Sequence, residues 1–186
     1  MGEDVNICNS ALKKTEWYGE SDVRLKSQGF TLIELIVTVS ILAIGAAIAV
    51  PGFQNLIQSN RVSTQTNNFI SSVKVARSEA VKQGQPVTMR AVEGNFGNGW
   101  CIYQGPSGTD CTNATTIREF GEPSGITLDA GGNTTFQFNG QGELETPNTA
   151  VTVNVDPKNC SGASNQRRVV SISVIGRPSL AKGNCS

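Results

Sequence analysis

A single carboxylate stands inside the most apolar stretch of this 186-residue sequence. Residues 30–53 read FTLIELIVTVSILAIGAAIAVPGF, and Glu34 is the only charged side chain among them. A helix of this length spans about 36 Å, enough to cross a hydrocarbon core of about 30 Å. A charge inside a membrane costs at least about 2.5 kcal/mol and tends to mark function. Because the run contains no lysine or arginine, Glu34 needs a cation from outside it.

A cut between Gly29 and Phe30 would supply that cation, because it creates a new ammonium group on Phe30. Between neighbouring helices staggered along one axis, the ammonium and the Glu34 carboxylate could meet and neutralise each other in a medium of low dielectric constant. Assembly would then relieve the cost of the unpaired carboxylate. Two simpler interpretations compete with this one. They are a secretory signal peptide with an A-x-A cleavage site at 47–49, and a signal anchor in which Glu34 is incidental.

Five cysteines offer a second kind of chemistry: Cys8 precedes the apolar run, and four cysteines follow it. An even count beyond a membrane segment predicts two disulfides in an oxidising compartment. We expect bridges between Cys101 and Cys111 and between Cys160 and Cys185, because each would close a local loop. The other pairings stay open at this point. A four-cysteine zinc site is a weaker alternative, since the sequence has no C-x-x-C knuckle.

The sequence contains no histidine, which excludes Ser-His-Asp and Cys-His arrangements and histidine metal sites. The P-loop, H-E-x-x-H and G-x-S-x-G motifs are also missing from it. We therefore predict a protein that is not an enzyme and that needs no cofactor or metal. The formal net charge is zero, but residues 157–186 carry five basic side chains and no acidic one. That segment is the one basic patch to weigh as a binding surface.

Helical periodicity resumes after Pro51 and continues to about Gln83, and Gly84 and Pro86 then end it. Pro51 should interrupt and bend the helix, because proline lacks an N–H group and crowds the preceding turn. The expected apolar stripe of the second half consists of Leu56, Phe69, Val73, Ala76 and Ala80. Beyond Pro86 the pattern predicts short strands at 87–92, 100–103, 134–138, 151–155 and 169–175, separated by glycine-rich and asparagine-rich turns. Trp100 and Tyr103 should pack in the core of this sheet.

The residues around the cut site, KSQG at 26–29 and FTLIEL at 30–35, resemble the prepilin motif of type IV pilins and type II secretion pseudopilins. The resemblance implies that a prepilin peptidase cleaves between Gly29 and Phe30 and N-methylates Phe30. It implies that Glu34 is needed for subunit packing and that Pro51 is the helix-kinking proline of many pilins. The implied fold is pilin-like α+β, with a long N-terminal helix, transmembrane in its first half, packed on antiparallel sheet.

The same resemblance predicts the organisation of the chain. Residues 1–29 are the leader, 30–53 the transmembrane and polymerisation helix, 54–84 the amphipathic half of the helix, and 85–186 a β-rich outer domain. The leader is longer and more acidic than family leaders, so we hypothesise that residues 1–22 come from a mis-annotated start and that Cys8 has no role. The expected location is a single pass of the bacterial inner membrane with the C-terminal domain in the periplasm, before assembly into a pilus or pseudopilus.

The string ARSEA at 76–80 resembles the FimT/FimU and H-type pseudopilin branch, although we expect Arg77 and Glu79 themselves to form a solvated helical face. This predicts a minor pilin or H-type pseudopilin that primes or caps a filament of other pilins or pseudopilins; a major pilin is less favoured. The alternative is a DNA-binding minor pilin acting in natural transformation. Proteins of that kind carry a G-R-x-R element, of which Gly176-Arg177-Pro178-Ser179 keeps only the first arginine. The candidate DNA contacts, which are less favoured than a solvated tail, are Arg167, Arg168, Arg177 and Lys182.

Overall fold

The computed structural model describes residues 29–108, 111–112, 115–160 and 165–185. The leader, with Cys8 and the hypothesised false start, lies outside these residues. The chain divides into two compact units, Met1–Ala43 and Ile44–Ser186, and each is described by itself. The elements in chain order are α1 (Leu32–Gln83), β1 (Val87–Ala91), β2 (Trp100–Gln104), β3 (Thr115–Phe120), β4 (Ile126–Asp129), β5 (Thr135–Phe138), β6 (Leu144–Thr146), β7 (Val151–Pro157), β8 (Arg167–Ile172) and β9 (Pro178–Gly183).

Helix α1 is one continuous element of 52 residues, and it continues through Pro51 and Gly52. The predicted interruption at this point is therefore wrong. A proline removes only one hydrogen bond from a helix, at a cost of about 3 kcal/mol, and the turns on either side preserve the helical path. A bend at Pro51 stays a prediction. The helix ends as expected, because Gly84 adopts a positive φ of 64° directly after Gln83, the conformation that commonly terminates helices.

The buried stripe of α1 begins further along the helix than the sequence predicted. Leu56 is 55 % exposed, so its predicted place in the stripe is wrong. The reason is that Leu56 precedes the part of the helix that the sheets cover, which starts with Val62. From there the buried residues recur at steps of three and four, as expected for one face of a helix: Val62, Thr66, Phe69, Val73, Ala76 and Ala80.

Two antiparallel sheets follow the helix. The first has the strand order β3-β2-β1-β5-β6, and the second has the order β4-β7-β8-β9. The predicted α+β architecture is confirmed, and strands β1, β2, β5 and β7 lie close to their predicted positions. The predicted strand at 169–175 is shifted: β8 ends at Ile172, because Ser173 and Arg177 form a hydrogen-bonded turn.

An aromatic cluster joins the helix to the first sheet. The ring of Phe69 lies 5.6 Å from those of Phe96 and Trp100 and 6.3 Å from that of Phe136, each edge to face. Trp100 also donates a buried hydrogen bond of 2.9 Å from Nε1 to Oγ of Ser72 on the helix. Trp100 and Tyr103 are 1 % and 0 % exposed, as the prediction of core packing requires. The helix and sheet therefore share one core.

Candidate functional site

The first turn of α1 holds the predicted assembly residue. Thr31 precedes the helix, and its Oγ1 accepts a hydrogen bond of 3.2 Å from the backbone N–H of Glu34. The backbone carbonyl of Thr31 accepts the following helical bond from Leu35 N at 3.2 Å. A threonine followed three residues later by glutamate is the pattern of a capping box. This cap by Thr31 was not predicted, although T-L-I-E at 31–34 carries the signal.

Glu34 lies among apolar side chains that are all exposed. The segment from Phe30 to Val50 has no buried residue, and Phe30 itself is 85 % exposed. Within the residues that the structure describes, no lysine or arginine pairs with the Glu34 carboxylate. Only α1 among the described helices is long and apolar enough to cross a membrane. The arrangement leaves an apolar helix surface with one charge on it, a surface that requires lipid or other helices around it.

The predicted processing site precedes this helix. Gly29 and Phe30 are exposed and have no helical or strand structure, and the helix begins two residues after Phe30. A peptidase must bind an extended backbone around the bond that it cleaves. The bond between Gly29 and Phe30 thus lies outside the helix, while the bonds after Leu32 lie within helical turns.

Both disulfides in the structure close local loops. Cys101 on β2 is bonded to Cys111 with their Cα atoms 5.9 Å apart, and Cys160 is bonded to Cys185 with their Cα atoms 5.4 Å apart. The second bridge ties the end of the described chain to the segment after β7. Because each cysteine is bonded to another, these sulfurs are not free to form the four-cysteine zinc site.

Asp156, which lies beside the second disulfide, is already bound to an arginine. Asp156 lies with Cys160 and Cys185, a grouping of potential metal ligands. Its carboxylate accepts two hydrogen bonds from the Arg167 guanidinium, of 2.7 Å from Nε and 2.9 Å from Nη2. The hydrogen bond to Asp156 raises the pKa of Arg167, so this arginine stays charged and paired. The three residues are therefore engaged: Asp156 pairs with Arg167, and the two cysteines form a disulfide.

The candidate DNA-binding residues do not form one patch. Arg167 is engaged with Asp156, and Arg168, the next residue of β8, points to the opposite face of the sheet. Lys182 is the strand partner of Arg168 on β9. Arg177 lies in the turn between β8 and β9, where it lines a cavity with residues of α1. The structure therefore separates these four cations into three places.

Arg77 has a contact that the expectation of a solvated helical face did not include. Its Nε donates a hydrogen bond of 2.9 Å to the carbonyl oxygen of Gly142, which lies 65 residues further along the chain. A Cβ atom built on Gly176 would lie 3.1 Å from Cδ and Nε of Arg77, and it would also overlap the Gly142 oxygen. Arg77 is exposed, as expected, but two glycine turns far away in sequence also pack against its side chain. The side chain of Glu79 is 25 % exposed and lies 3.6 Å from Lys82, on the surface of the helix.

Two family models match the chain, one in its N-terminal segment and one over the residues that follow. The family model described as Type II transport protein GspH matches residues 65–176, which is more than half of the chain. The chain belongs to the GspH family. A second model, the prokaryotic N-terminal methylation motif, matches residues 24–50 of this GspH-family chain. The predicted relationship to type IV pilins and H-type pseudopilins is confirmed.

Individual relatives agree with that assignment. The crystal structure of the Pseudomonas aeruginosa type IV minor pilin FimU aligns with a TM-score of 0.55 and 24 % identity, over 66 % of this chain and 89 % of FimU. This likeness shows a shared fold. A fimbrial protein of Pseudomonas aeruginosa is 38 % identical over 68 residues, 36 % of this chain and 44 % of the relative. The type IV major fimbrial protein FimA of Dichelobacter nodosus is 38 % identical over 61 residues, 31 % of this chain and 39 % of FimA. The matched region thus spans less than half the length of these two relatives.

The matches place the chain among pilin and pseudopilin subunits. The apolar helix and the N-terminal methylation motif characterise this chain as a membrane-anchored pilin.

Proposed function

We propose that this chain is a minor pilin or H-type pseudopilin that primes or caps a type IV pilus or a type II secretion pseudopilus. It is anchored by α1 in the bacterial inner membrane, with the domain from β1 onward in the periplasm. A prepilin peptidase cleaves it between Gly29 and Phe30 and methylates the new amino group. The shared fold with FimU and the match to the GspH family support a minor subunit.

The observation that carries the proposal is the Glu34 carboxylate on an exposed apolar helix, which has no cationic partner among the described residues. A lone carboxylate in lipid costs several kcal/mol, and removing that cost favours the state in which a cation reaches it. Cleavage after Gly29 creates such a cation on every processed subunit, and a neighbouring helix can bring it to Glu34. The charge therefore opposes the isolated subunit and favours the filament.

DNA uptake remains a second candidate from the sequence, but the geometry gives it little support. Weak, salt-sensitive DNA binding needs several cations along one surface. Of the four candidates, Arg167 is neutralised by Asp156, and Arg168 and Lys182 lie apart from Arg177. We therefore do not assign DNA binding to the C-terminal segment.

The proposal is tested with Glu34→Gln, which removes the charge and preserves the size of the side chain. We expect mass spectrometry to find a normal mature terminus at methylated Phe30, because the cleaved bond and its flanking residues are unchanged. We expect the amount in purified filaments to fall more than tenfold, since a lone carboxylate costs at least about 2.5 kcal/mol in lipid and the variant has no such cost for assembly to relieve. Thr31→Ala is the matched control: it removes the helix cap and leaves the carboxylate, so its incorporation should fall much less.

Three results would count against the proposal. Incorporation of the Glu34→Gln protein at the wild-type level would show that the charge does not drive assembly. Equal losses in Glu34→Gln and Thr31→Ala would show that the residue acts through the helix terminus instead of through a neighbouring subunit. A mature protein beginning anywhere other than Phe30 would remove the proposed source of the cation.

A further inference from the structure

The outer part of α1 and the turn between β8 and β9 enclose a groove of about 680 Å³, here called the basic groove. Four cations line it, and it has an apolar floor of Val81 and Pro178. The cations are Lys74, Arg77, Lys82 and Arg177. Val81 is 50 % exposed, so the floor is open to a ligand. The basic groove combines a strongly positive rim with a small apolar contact surface, and it lies entirely within Ile44–Ser186.

Hydrogen bonds hold both walls of the basic groove in position. On one side, Nε of Arg77 donates a hydrogen bond to the carbonyl oxygen of Gly142. Nearby, Leu144 N donates to Val174 O at 2.7 Å, which connects the start of β6 to the turn between β8 and β9. On the other side, the turn that carries Arg177 is closed by a bond of 3.1 Å from Ser173 N to Arg177 O. A ligand therefore does not have to order the groove when it binds, and preorganisation of this kind favours affinity.

The charges of the basic groove are poorly compensated. Glu79 approaches Lys82 at 3.6 Å, but the Lys82 side chain is 75 % exposed, so this pair contributes little. Among the described residues, the side chains of Lys74 and Arg177 have no acidic partner. Cations gathered in one groove repel each other, and a bound anion relieves the repulsion. The basic groove therefore favours the binding of a negatively charged ligand.

Two classes of anion fit the groove poorly. Lipid headgroups are too distant, because Lys74 follows Phe53 by 21 residues, which corresponds to about 32 Å of helix. That distance exceeds the screening length of roughly 8 Å at physiological ionic strength. A DNA duplex is convex and offers phosphates to an extended cationic surface, whereas this site is a concave groove with an apolar floor. An acidic peptide segment that includes one apolar side chain fits both the rim and the floor.

We propose that the basic groove binds a carboxylate-rich segment of a neighbouring filament subunit, with an apolar side chain of that segment on Val81 and Pro178. The identity of the donor rests on the proposed function, because filament assembly holds neighbouring subunits together at high effective concentration. The chemistry of the site rests on the groove itself. The two statements are therefore tested separately.

The chemistry is tested with the full chain in detergent micelles and two synthetic probes, acetyl-EELEE-amide and its uncharged counterpart acetyl-QQLQQ-amide. We expect the acidic peptide to bind and to be released by 0.5 M salt, and the uncharged peptide not to bind. The double variant Lys74→Gln/Arg177→Gln should bind the acidic peptide about tenfold more weakly. The control Arg118→Gln/Lys158→Gln removes the same charge away from the groove and should change binding less than twofold.

Three outcomes overturn the chemistry of the site. One is equal binding of the acidic peptide by the two double variants, provided that both melt at the wild-type temperature. A second is tighter binding of a short DNA duplex than of the peptide, lost with Lys74→Gln/Arg177→Gln, which would make the groove a nucleic-acid site. The third is failure of the acidic peptide to bind at low salt.

The donor is tested in cells with a photo-crosslinking benzoyl-phenylalanine in place of Val81, and with the same group in place of the exposed Thr127 as a control. We expect the Val81 position to capture another subunit of the filament, at a residue flanked by at least two carboxylates. Capture of a segment without acids, or no capture in filaments that contain the protein, overturns the assignment of the donor. Absence of the protein from filaments would instead count against the proposed function, and the peptide measurement would still decide the chemistry of the groove.

Discussion

Phe69 packs at the centre of the aromatic contacts between α1 and the first sheet, and its replacement by alanine is the sharpest test of the fold. Phe69 is fully buried and meets three aromatic rings edge to face, those of Phe96, Trp100 and Phe136. These rings belong to separate segments of the outer domain, and the helix side chain lies at their centre. Phe69→Ala would remove the central ring and leave a cavity that no flexible neighbour fills.

The magnitude follows from the burial and the contacts. Truncation of a buried phenylalanine to alanine costs about 3–5 kcal/mol, and loss of favourable aromatic pairs moves the value toward the upper part of that range. We expect Phe69→Ala to lower the free energy of unfolding by about 4 kcal/mol. For a folded unit of this size, that corresponds to a decrease in melting temperature of roughly 15 °C.

The assay is thermal unfolding of the full chain in detergent micelles, followed by near-ultraviolet circular dichroism of the aromatic cluster. Leu56→Ala is the control, because Leu56 lies on the same helix but is 55 % exposed and should change stability by less than about 0.5 kcal/mol. A loss below about 1 kcal/mol for Phe69→Ala would refute the reasoning that the aromatic cluster joins helix and sheet. Equal losses for both variants would refute the position of the buried stripe.

Two further predictions concern single contacts in the outer domain. Ser72→Ala should cost about 1–3 kcal/mol because it leaves the buried indole N–H of Trp100 without its acceptor; equilibrium unfolding measures this loss, and it should largely disappear when Trp100 is already phenylalanine. Gly176→Ala should cost clearly more than Gly131→Ala, because both glycines have positive φ but a Cβ atom at Gly176 would overlap the Gly142 carbonyl, whereas the space at Gly131 is open. Equal melting temperatures for these two alanine variants would contradict the close packing of the turns.

The sequence predicted central strands well and edge strands poorly. The four strands that the analysis missed, β3, β4, β6 and β9, are the four edges of the two sheets. Each central strand pairs with a strand along both of its edges. Strands such as β1, β2 and β5 carry a strong apolar pattern, which makes them readable in the sequence. Edge strands such as β3, which contains Arg118 and Glu119, and β9, which begins with Pro178, carry the polar residues that prevent pairing with other chains. The polar residues that protect an edge strand therefore also weaken the sequence pattern by which the strand would be recognised.

The candidate sites divide in a similar way. The apolar run and its single glutamate were readable because the signal is local, and so were the loops that the cysteines close. The contact of Arg77 with Gly142 was not readable, because it joins residues 65 positions apart and the local sequence of neither residue points to the other. The division of the C-terminal cations has the same origin. Whether a cation is neutralised or exposed depends on strand pairing, which composition alone does not reveal.

The threonine before the helix has a consequence for the subunit that has not yet been recruited. Because the Oγ1 atom of Thr31 caps the first turn, the backbone of Glu34 is fixed at the end of the helix where peptide dipoles favour negative charge. The cap and the helix dipole therefore offset part of the cost of the Glu34 charge before any counterion reaches it.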